Sequence, residues 1–401
     1  MTENATLIVR ADASVKSYPN TLQRLAKHFW YACANSSILK LADELESRPE
    51  ISVVCITDEN RKPIGIIRRE DLFLRLSKRF GREVMSQDTA LSCVETPLVY
   101  PGEHNILHIS EHLHERTAET KGAPEESEAG NGKTDSIVLV DSQGAFSGML
   151  SLRDVASYMV ELTNEDIAMA SLLQERFLAN ADRITQLEVS VDAWWSSAKG
   201  VGGDFYFIRR ISADKFFAAL CDVSGKGVAA ALVVSIVWGF LRAHSMQGSL
   251  QNLLASLNTA VLNSFHREKY LTGFFLVYDA GKRLLRVADM GHSHTLFLRK
   301  GQLISLKKTR VNLPLGIEEE LHPAVYALSA QPGDTLLIYS DGIPEQDNPA
   351  GEEFGEQRLL ALLAETVTQG KALSETLPKA LEEFRQHTPQ HDDMTFLMFR
   401  F

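Results

Sequence analysis

The N-terminal third of the chain contains one pattern of hydrophobic and polar residues twice. In residues 51–74 a β-branched run is followed by a polar turn, a second such run with an internal glycine, and then residues with helical spacing. Residues 136–159 repeat this order, again with a glycine inside the second run. Two apolar runs around a short polar turn indicate a β-hairpin, and the recurrence predicts a pair of similar modules.

The segment between the two copies has a different composition. Residues 115–135 are rich in Glu, Gly, Ala and Thr and almost devoid of large apolar side chains. Such a segment buries too little surface to offset the entropy lost on ordering. It therefore predicts a mobile loop.

Helical spacing runs from Thr163 to about Arg183. Thr163 and Asp166 have the spacing of a capping box, and apolar residues then recur at steps of three and four. The one-sided apolar stripe needs a partner, which is either the helix's own domain, a catalytic domain that follows, or a second copy of the chain. We divide the chain into residues 1–160, a linker helix at 161–183, and residues 184–401.

Residues 184–401 alternate many short apolar runs of strand type with two pairs of long helical stretches. Hairpin-linked strands with separate helix pairs predict an α+β fold, in which antiparallel sheet lies inside and helices lie outside.

Composition narrows the functional class. The chain has 401 residues and a net charge of -11, so two or three domains are expected and a nucleic-acid-binding protein is disfavoured. The four cysteines form no C-x-x-C pair, which argues against a zinc knuckle or a disulfide framework. Neither a leader-like N-terminus nor a membrane-length apolar run is present in the sequence, and we expect a cytoplasmic location without membrane contact.

Aspartates stand at the ends of several apolar strands. Asp222 and Asp341 each close a run, Asp392 opens one, and Asp204 follows two glycines before another. Carboxylates that converge at strand ends repel one another unless cations bind, and their hard oxygens suit Mg²⁺ or Mn²⁺. A single Asp-Gly pair is better explained as a turn. The ordered set favours a metal site.

Six segments together resemble the SpoIIE-like branch of the metal-dependent protein phosphatases, the PPM class related to protein phosphatase 2C. These are VGGDFYF at 201–207, CDVSGKGVAAAL at 221–232, ADMGHSHTLF at 288–297, LPLGI at 313–317, LLIYSDGIPE at 336–345 and DDMTFLMF at 392–399. The resemblance implies an αββα sandwich with two Mn²⁺ or Mg²⁺ ions at one end.

The resemblance also implies roles for individual residues. Asp222 falls on the ligand that bridges both metals, the Val223 carbonyl on a ligand of the second metal, and Asp341 and Asp392 on further carboxylate ligands. Asp204 matches a direct or water-mediated ligand, and Asp393 a variable one. Asp222, Asp341 and Asp392 are the expected catalytic residues. The implied substrate is phosphoserine or phosphothreonine on a bacterial regulatory protein of the anti-sigma-antagonist type, and the implied assembly is a homodimer.

Two residues depart from the family pattern. Phe207 replaces an aspartate, and Met290 stands where the family usually has alanine, though neither position is a core metal ligand. We expect an active enzyme with structural roles for His292, His294 and His391. The alternative is a nucleotide-sensing scaffold whose phosphatase domain is inert.

The repeated N-terminal unit resembles a CBS domain pair, a module that often binds adenine nucleotides. The second copy reads GMLSLRD, in which Ser151 and Asp154 match ribose and phosphate contacts. In the first copy Asp71 is kept, while Arg68 occupies the hydroxyl position. The resemblance implies a regulatory sensor with an adenine nucleotide, and a ligand-free dimerisation module remains the alternative.

Overall fold

The computed structural model describes residues 6–11, 18, 20–107, 109, 135–178, 189–305 and 310–401. The chain forms two compact units, Met1–Thr163 and Asn164–Phe401. All but the last residue of the expected mobile loop at 115–135 lies outside the described residues, as do residues 179–183 of the predicted linker helix. No helix in the described part of the chain is long and apolar enough to cross a membrane, and the expected cytoplasmic location stays a prediction.

The first unit contains two small sheets with strand orders β1-β2-β3-β4 and β5-β6-β7. Its strands are β1 (Val9–Arg10), β2 (Trp30–Cys33), β3 (Val53–Thr57), β4 (Pro63–Arg68), β5 (Leu98–Pro101), β6 (Ser136–Val140) and β7 (Phe146–Ser151). Its helices are α1 (Leu22–Leu25), α2 (Ile38–Ser47), α3 (Arg69–Leu76), α4 (Gly81–Val84) and a 3-10 turn at Ala90–Cys93, followed by the start of α5 (Leu152–Leu178).

The two sheets confirm the predicted repeat. In each, a parallel strand pair is followed by an antiparallel hairpin, formed by β3 and β4 in one copy and by β6 and β7 in the other. Both hairpins shift register near their turn, at Ile56/Thr57 and at Leu139/Val140. All five residues of β3 are buried, because both of its faces are covered.

Helix α5 begins earlier than the sequence predicts. Ser151 and Asp154 form the capping box: the Ser151 hydroxyl accepts from Asp154 N at 3.2 Å, and an Asp154 carboxylate oxygen accepts from Ser151 N at 2.8 Å. Thr163, which we predicted as a cap, lies inside the helix and donates its hydroxyl to Met159 O at 2.8 Å. The predicted start at Thr163 is therefore wrong, and the second repeat and the linker share one 27-residue helix.

The second unit contains two five-stranded antiparallel sheets, with orders β15-β12-β11-β10-β9 and β14-β13-β16-β17-β8. Its strands are β8 (Ser190–Ser196), β9 (Phe205–Arg210), β10 (Lys215–Val223), β11 (Leu271–Asp279), β12 (Leu284–Met290), β13 (Thr295–Arg299), β14 (Gln302–Leu303), β15 (Tyr326–Ser329), β16 (Thr335–Tyr339) and β17 (Met394–Arg400). Its helices, after the end of α5, are α6 (Val228–Ala243), α7 (Leu250–Phe265), α8 (Gly355–Gln369) and α9 (Leu373–Arg385).

Alternation along the strands shows how the layers stack. In β16, Leu336 and Ile338 join the core that contains the first sheet, α6 and α7. Leu337 and Tyr339, which point the other way, pack with side chains of α8 and α9. Both faces of β16 are thus buried, and the layers run helix, sheet, sheet, helix. The expected αββα sandwich is confirmed.

Candidate metal centre

Two pairs of strand ends place acidic residues at the same end of the sandwich. Asp204 immediately precedes β9, and Asp222 lies near the end of β10, where Cys221 pairs with Phe205 across the two antiparallel strands. In the other sheet, Asp341 follows β16, and Asp392 precedes the neighbouring β17.

Electrostatics shows that these carboxylates are close neighbours. Burial, followed by the charges of Asp341, Asp392 and Asp393, raises the pKa of Asp222 from 3.8 to about 7. Burial is also the largest cause that raises the pKa of Asp204 well above its ordinary value, followed by the charge of Asp222. The structure therefore brings together the five aspartates that the sequence singled out.

Asp393 has a structural contact that the sequence did not reveal. Its two carboxylate oxygens accept from Ala198 N at 2.9 Å and from Gly203 N at 2.7 Å, and the residue is buried. A Cβ at Gly202 would lie 2.5 Å from the Asp393 carboxylate, so this approach requires glycine. Asp393 thus holds the loop that presents Asp204.

Backbone packing is also close within each of the two pairs of strand ends. A Cβ at Gly342 would lie 2.1 Å from Asp393 O, which explains a glycine after Asp341. The Val223 carbonyl, the predicted ligand of a second metal, would lie 2.9 Å from a Cβ at Gly203. Val223 O therefore faces the loop that precedes Asp204.

The aspartates lie near one another but do not surround a single point as a complete set of metal ligands. Within the described ranges, no group of three or more His, Cys, Asp and Glu side chains has an arrangement that holds a metal ion. The donor chemistry nevertheless fits hard divalent cations, since oxygen ligands converge and repel one another. The Oδ2 atom of Asp204 is buried without a hydrogen-bond partner among the described residues, and a bound cation would satisfy it.

Lys226 is a residue whose contact with the centre sequence reasoning missed. It lies in the loop between β10 and α6, and its ammonium is 2.7 Å from Asp392 Oδ2. The ammonium also donates to His391 O at 2.8 Å. Of the ion pairs in the described part of the chain, this is the one that involves a carboxylate of the centre.

The end of α5 belongs to the second unit and packs there beside the loop that precedes Asp204. The buried Gln174 side chain donates to Gly202 O at 2.8 Å and accepts from Gly202 N at 3.0 Å. The Phe177 ring stacks on Trp238 of α6 with centroids 4.7 Å apart. The sequence signal for this contact was a glutamine on a mostly apolar face of the helix. The sequence did not show that Gly202 is its partner.

Comparison with known proteins agrees with this geometry. Residues 212–401 match the family described as Stage II sporulation protein E (SpoIIE), and residues 25–78 match the CBS domain family. The second half of this chain is a SpoIIE-family phosphatase domain of the PP2C type. The N-terminal unit contains a CBS domain.

Individual relatives are distant. The phosphoserine phosphatase RsbU of Bacillus subtilis is 24% identical over 244 residues, which is 59% of this chain and 70% of RsbU. Protein IcfG of Synechocystis is 23% identical over 235 residues, 52% of this chain and 37% of IcfG, so this chain spans little more than a third of that relative. The SiaA PP2C domain of Pseudomonas aeruginosa has a TM-score of 0.53 at 24% identity, covering 61% of this chain and 98% of that domain, and shows the shared fold.

The two departures from the SpoIIE pattern are core residues of the phosphatase domain. Phe207 packs with Phe217 and, edge to face at 6.1 Å, with Trp238 of α6. Met290 is fully buried at the end of β12, and the preceding Asp289 carboxylate accepts from His292 N at 2.8 Å. Neither departure removes a carboxylate of the centre.

The three histidines that the sequence analysis singled out have different surroundings. His292 is buried, with its backbone N–H bonded to Asp289. His294 Nδ1 lies 3.9 Å from Glu356, which accepts from the Tyr339 hydroxyl. His391 Nε2 lies 2.9 Å from Asp347. These contacts are consistent with structural roles, which stay a prediction.

In the CBS unit, the predicted nucleotide contacts already have partners within the chain. Besides capping α5, Asp154 accepts from the Ser151 hydroxyl at 2.6 Å and pairs with Lys27. Asp71 lies 3.8 Å from Arg68. An open cavity of about 360 Å³ lies in this unit; its lining comprises His28, Ser52, Val53, Arg68, Arg69, Glu70, Ser136, Met149, Leu150 and Ser151. Of the predicted contacts, Ser151 is the one that lines it.

Proposed function

We propose that this chain is an active protein phosphatase that hydrolyses phosphoserine or phosphothreonine on a partner protein with two Mn²⁺ or Mg²⁺ ions. The observation that carries the proposal is the raised pKa of Asp222, caused by burial and by carboxylates from the other sheet. Lys226 offsets the charge of Asp392, but so many carboxylates in one place remain costly unless cations bind there. An inert scaffold would bear the cost of this carboxylate repulsion without any function that requires it.

The residues have distinct parts in the proposed mechanism. Asp222, Asp341, Asp392 and the Val223 carbonyl would hold the ions, with Asp204 as a further ligand. Ions bound there would supply a water of lowered pKa for in-line attack on phosphorus and would neutralise phosphoryl oxygens. Asp393, whose oxygens both accept backbone N–H groups, positions the Asp204 loop. No covalent enzyme intermediate is required.

The direct test is Mn²⁺-dependent hydrolysis of p-nitrophenyl phosphate and of a phosphoserine peptide by the full chain. Asp222→Asn should lower kcat by at least about a thousandfold, because a carboxylate that would hold the ions is lost. Asp214→Asn is the matched control, since Asp214 is exposed and precedes the opposite end of β10. Equal activity of wild type and Asp222→Asn would refute the proposal.

The physiological substrate that we infer is a phosphorylated regulatory protein of the anti-sigma-antagonist type. The similarity to RsbU supports this inference. Dephosphorylation of such a protein, followed by phosphate-affinity electrophoresis, would test it. If the chain hydrolyses the small aryl phosphate but no protein of this type, the phosphatase activity would stand and this substrate class would be rejected.

Regulation through α5 is part of the proposal. Gln174 binds both polar groups of Gly202, next to the Asp204 loop, so a displacement of this helix would disturb the centre. The signal that we infer is an adenine nucleotide in the CBS unit, supported by the cavity beside Ser151. AMP, ADP and ATP should each be tested for a rise in Tm and a change in kcat. If none of these nucleotides changes Tm or kcat, nucleotide sensing would be rejected and dimerisation would be the remaining role for the CBS unit.

A homodimer is also proposed. Helix α5 exposes apolar side chains at neighbouring positions, with Met169 59%, Leu172 44% and Leu173 46% exposed. An apolar stripe of this kind supports helix pairing between two copies. Light scattering should give twice the chain mass, and Leu172→Glu should shift it toward the monomer. A monomeric wild type would contradict this assembly.

A further inference from the structure

The loop that carries Lys226 has a backbone conformation that depends on glycine. It joins β10 to α6, and Gly225 and Gly227 on either side of the lysine have φ of +90° and +77°, a backbone region that favours glycine. A Cβ at Gly227 would meet no atom within 4 Å. The Lys226 side chain is 36% exposed, so it can change partners without disturbing the core.

Lys226 and a divalent ion need the same oxygen atoms. The ammonium is paired with Asp392, which the phosphatase proposal assigns to a metal. When an ion takes this carboxylate, the ammonium loses its charged partner and keeps the His391 carbonyl, beside a site that would receive a phosphate dianion. Phosphoryl oxygens are the complementary acceptors for a released lysine, which binds phosphate as a point charge.

We propose that Lys226 exchanges partners during the reaction cycle: it holds Asp392 before the ions bind, releases it to them, and then binds the phosphoryl group of the substrate. This proposal rests on the phosphatase function. It makes Lys226 a substrate-binding residue that also competes with metal binding. Loss of Lys226 should therefore strengthen the binding of Mn²⁺ and weaken the binding of phosphate. A lysine with a purely structural role would not produce these opposite effects.

The test uses the full-length chain with Lys226→Gln. Calorimetric titration with Mn²⁺ alone should show about fivefold tighter binding than wild type, because a partly exposed competing ion pair is removed. Inorganic phosphate should inhibit the Mn²⁺-loaded variant about tenfold more weakly, because a charge-assisted hydrogen bond is lost. Lys226→Arg should keep phosphate inhibition within about threefold of wild type, since the charge remains.

Lys282→Gln is the control, since Lys282 is exposed in the turn between β11 and β12, beyond the far end of β11. It should change neither constant, and circular dichroism should show that all variants fold. Weaker Mn²⁺ binding by Lys226→Gln, or unchanged inhibition of this variant by phosphate, would overturn the partner exchange. The proposed phosphatase function would still stand if the wild-type chain hydrolyses phosphate esters. A wild type that neither binds Mn²⁺ nor hydrolyses phosphate esters would overturn both.

Discussion

Without metal, the aspartate cluster should destabilise the phosphatase domain, and Asp222→Asn should relieve this. The pKa of Asp222 is raised from 3.8 to about 7 in the folded chain. The unfolded chain thus loses this proton at lower pH, and folding stability falls as pH rises from about 4 to about 7. At 1.36 kcal/mol per pKa unit, the loss reaches about 4 kcal/mol, an upper bound because the carboxylates share it.

Urea unfolding in EDTA at pH 5 and pH 8 measures this effect. At pH 8 Asp222→Asn should be more stable than wild type by about 2–4 kcal/mol, and at pH 5 the difference should shrink by at least about half. With saturating Mn²⁺ at pH 8 the order should reverse, because the variant lacks a ligand and gains less from binding. A variant less stable than wild type at pH 8 in EDTA would refute the electrostatic reasoning.

Three further predictions concern contacts around the centre. Phe207→Leu should lower the free energy of unfolding by about 1 kcal/mol and leave the Mn²⁺ Kd within about threefold, because the ring contacts Phe217 and Trp238; a larger change in Kd, measured by calorimetry, would contradict a packing role. Gln174→Ala should lower kcat of the full chain, whereas Glu175→Ala on the exposed side of the same helix should not; equal kcat values would remove Gln174 from the regulatory route. Asp154→Ala should cost about 1 kcal/mol by loss of the capping box, as shown by urea unfolding of the first unit.

The sequence was sufficient for features that depend on local pattern. Hairpin-linked strands and helix pairs predicted antiparallel sheet inside and helices outside, and the family resemblance implied the αββα order. Aspartates at strand ends proved to be neighbours because neighbouring strands of each sheet end at a common edge. The repeat was likewise visible, since each copy carries its own hairpin and helix.

Other features depend on partners that are distant in the chain. Thr163 has a capping sequence, but the helix already begins at Leu152, because the Ser151 and Asp154 capping box comes first. Phe207 was recognised from the sequence only as a replacement of an aspartate, and its contact with Trp238 shows that it packs against α6. Asp393 resembled a second ligand, and its two backbone partners lie about 190 residues earlier. Local spacing contains no information on such contacts.

The contacts of Gly202 and Gly203 explain why a helix remote from the aspartates in sequence can affect them. Gln174 of α5 fixes Gly202 through two hydrogen bonds, and Asp393 fixes the adjacent Gly203 through one. Asp204 follows directly, and burial, together with the charge of Asp222, raises the pKa of its carboxylate well above the ordinary value. If α5 moves away, Gly202 loses both partners and Asp204 loses its support from one side. Movement of α5 is therefore the route by which the proposed regulation would reach the centre.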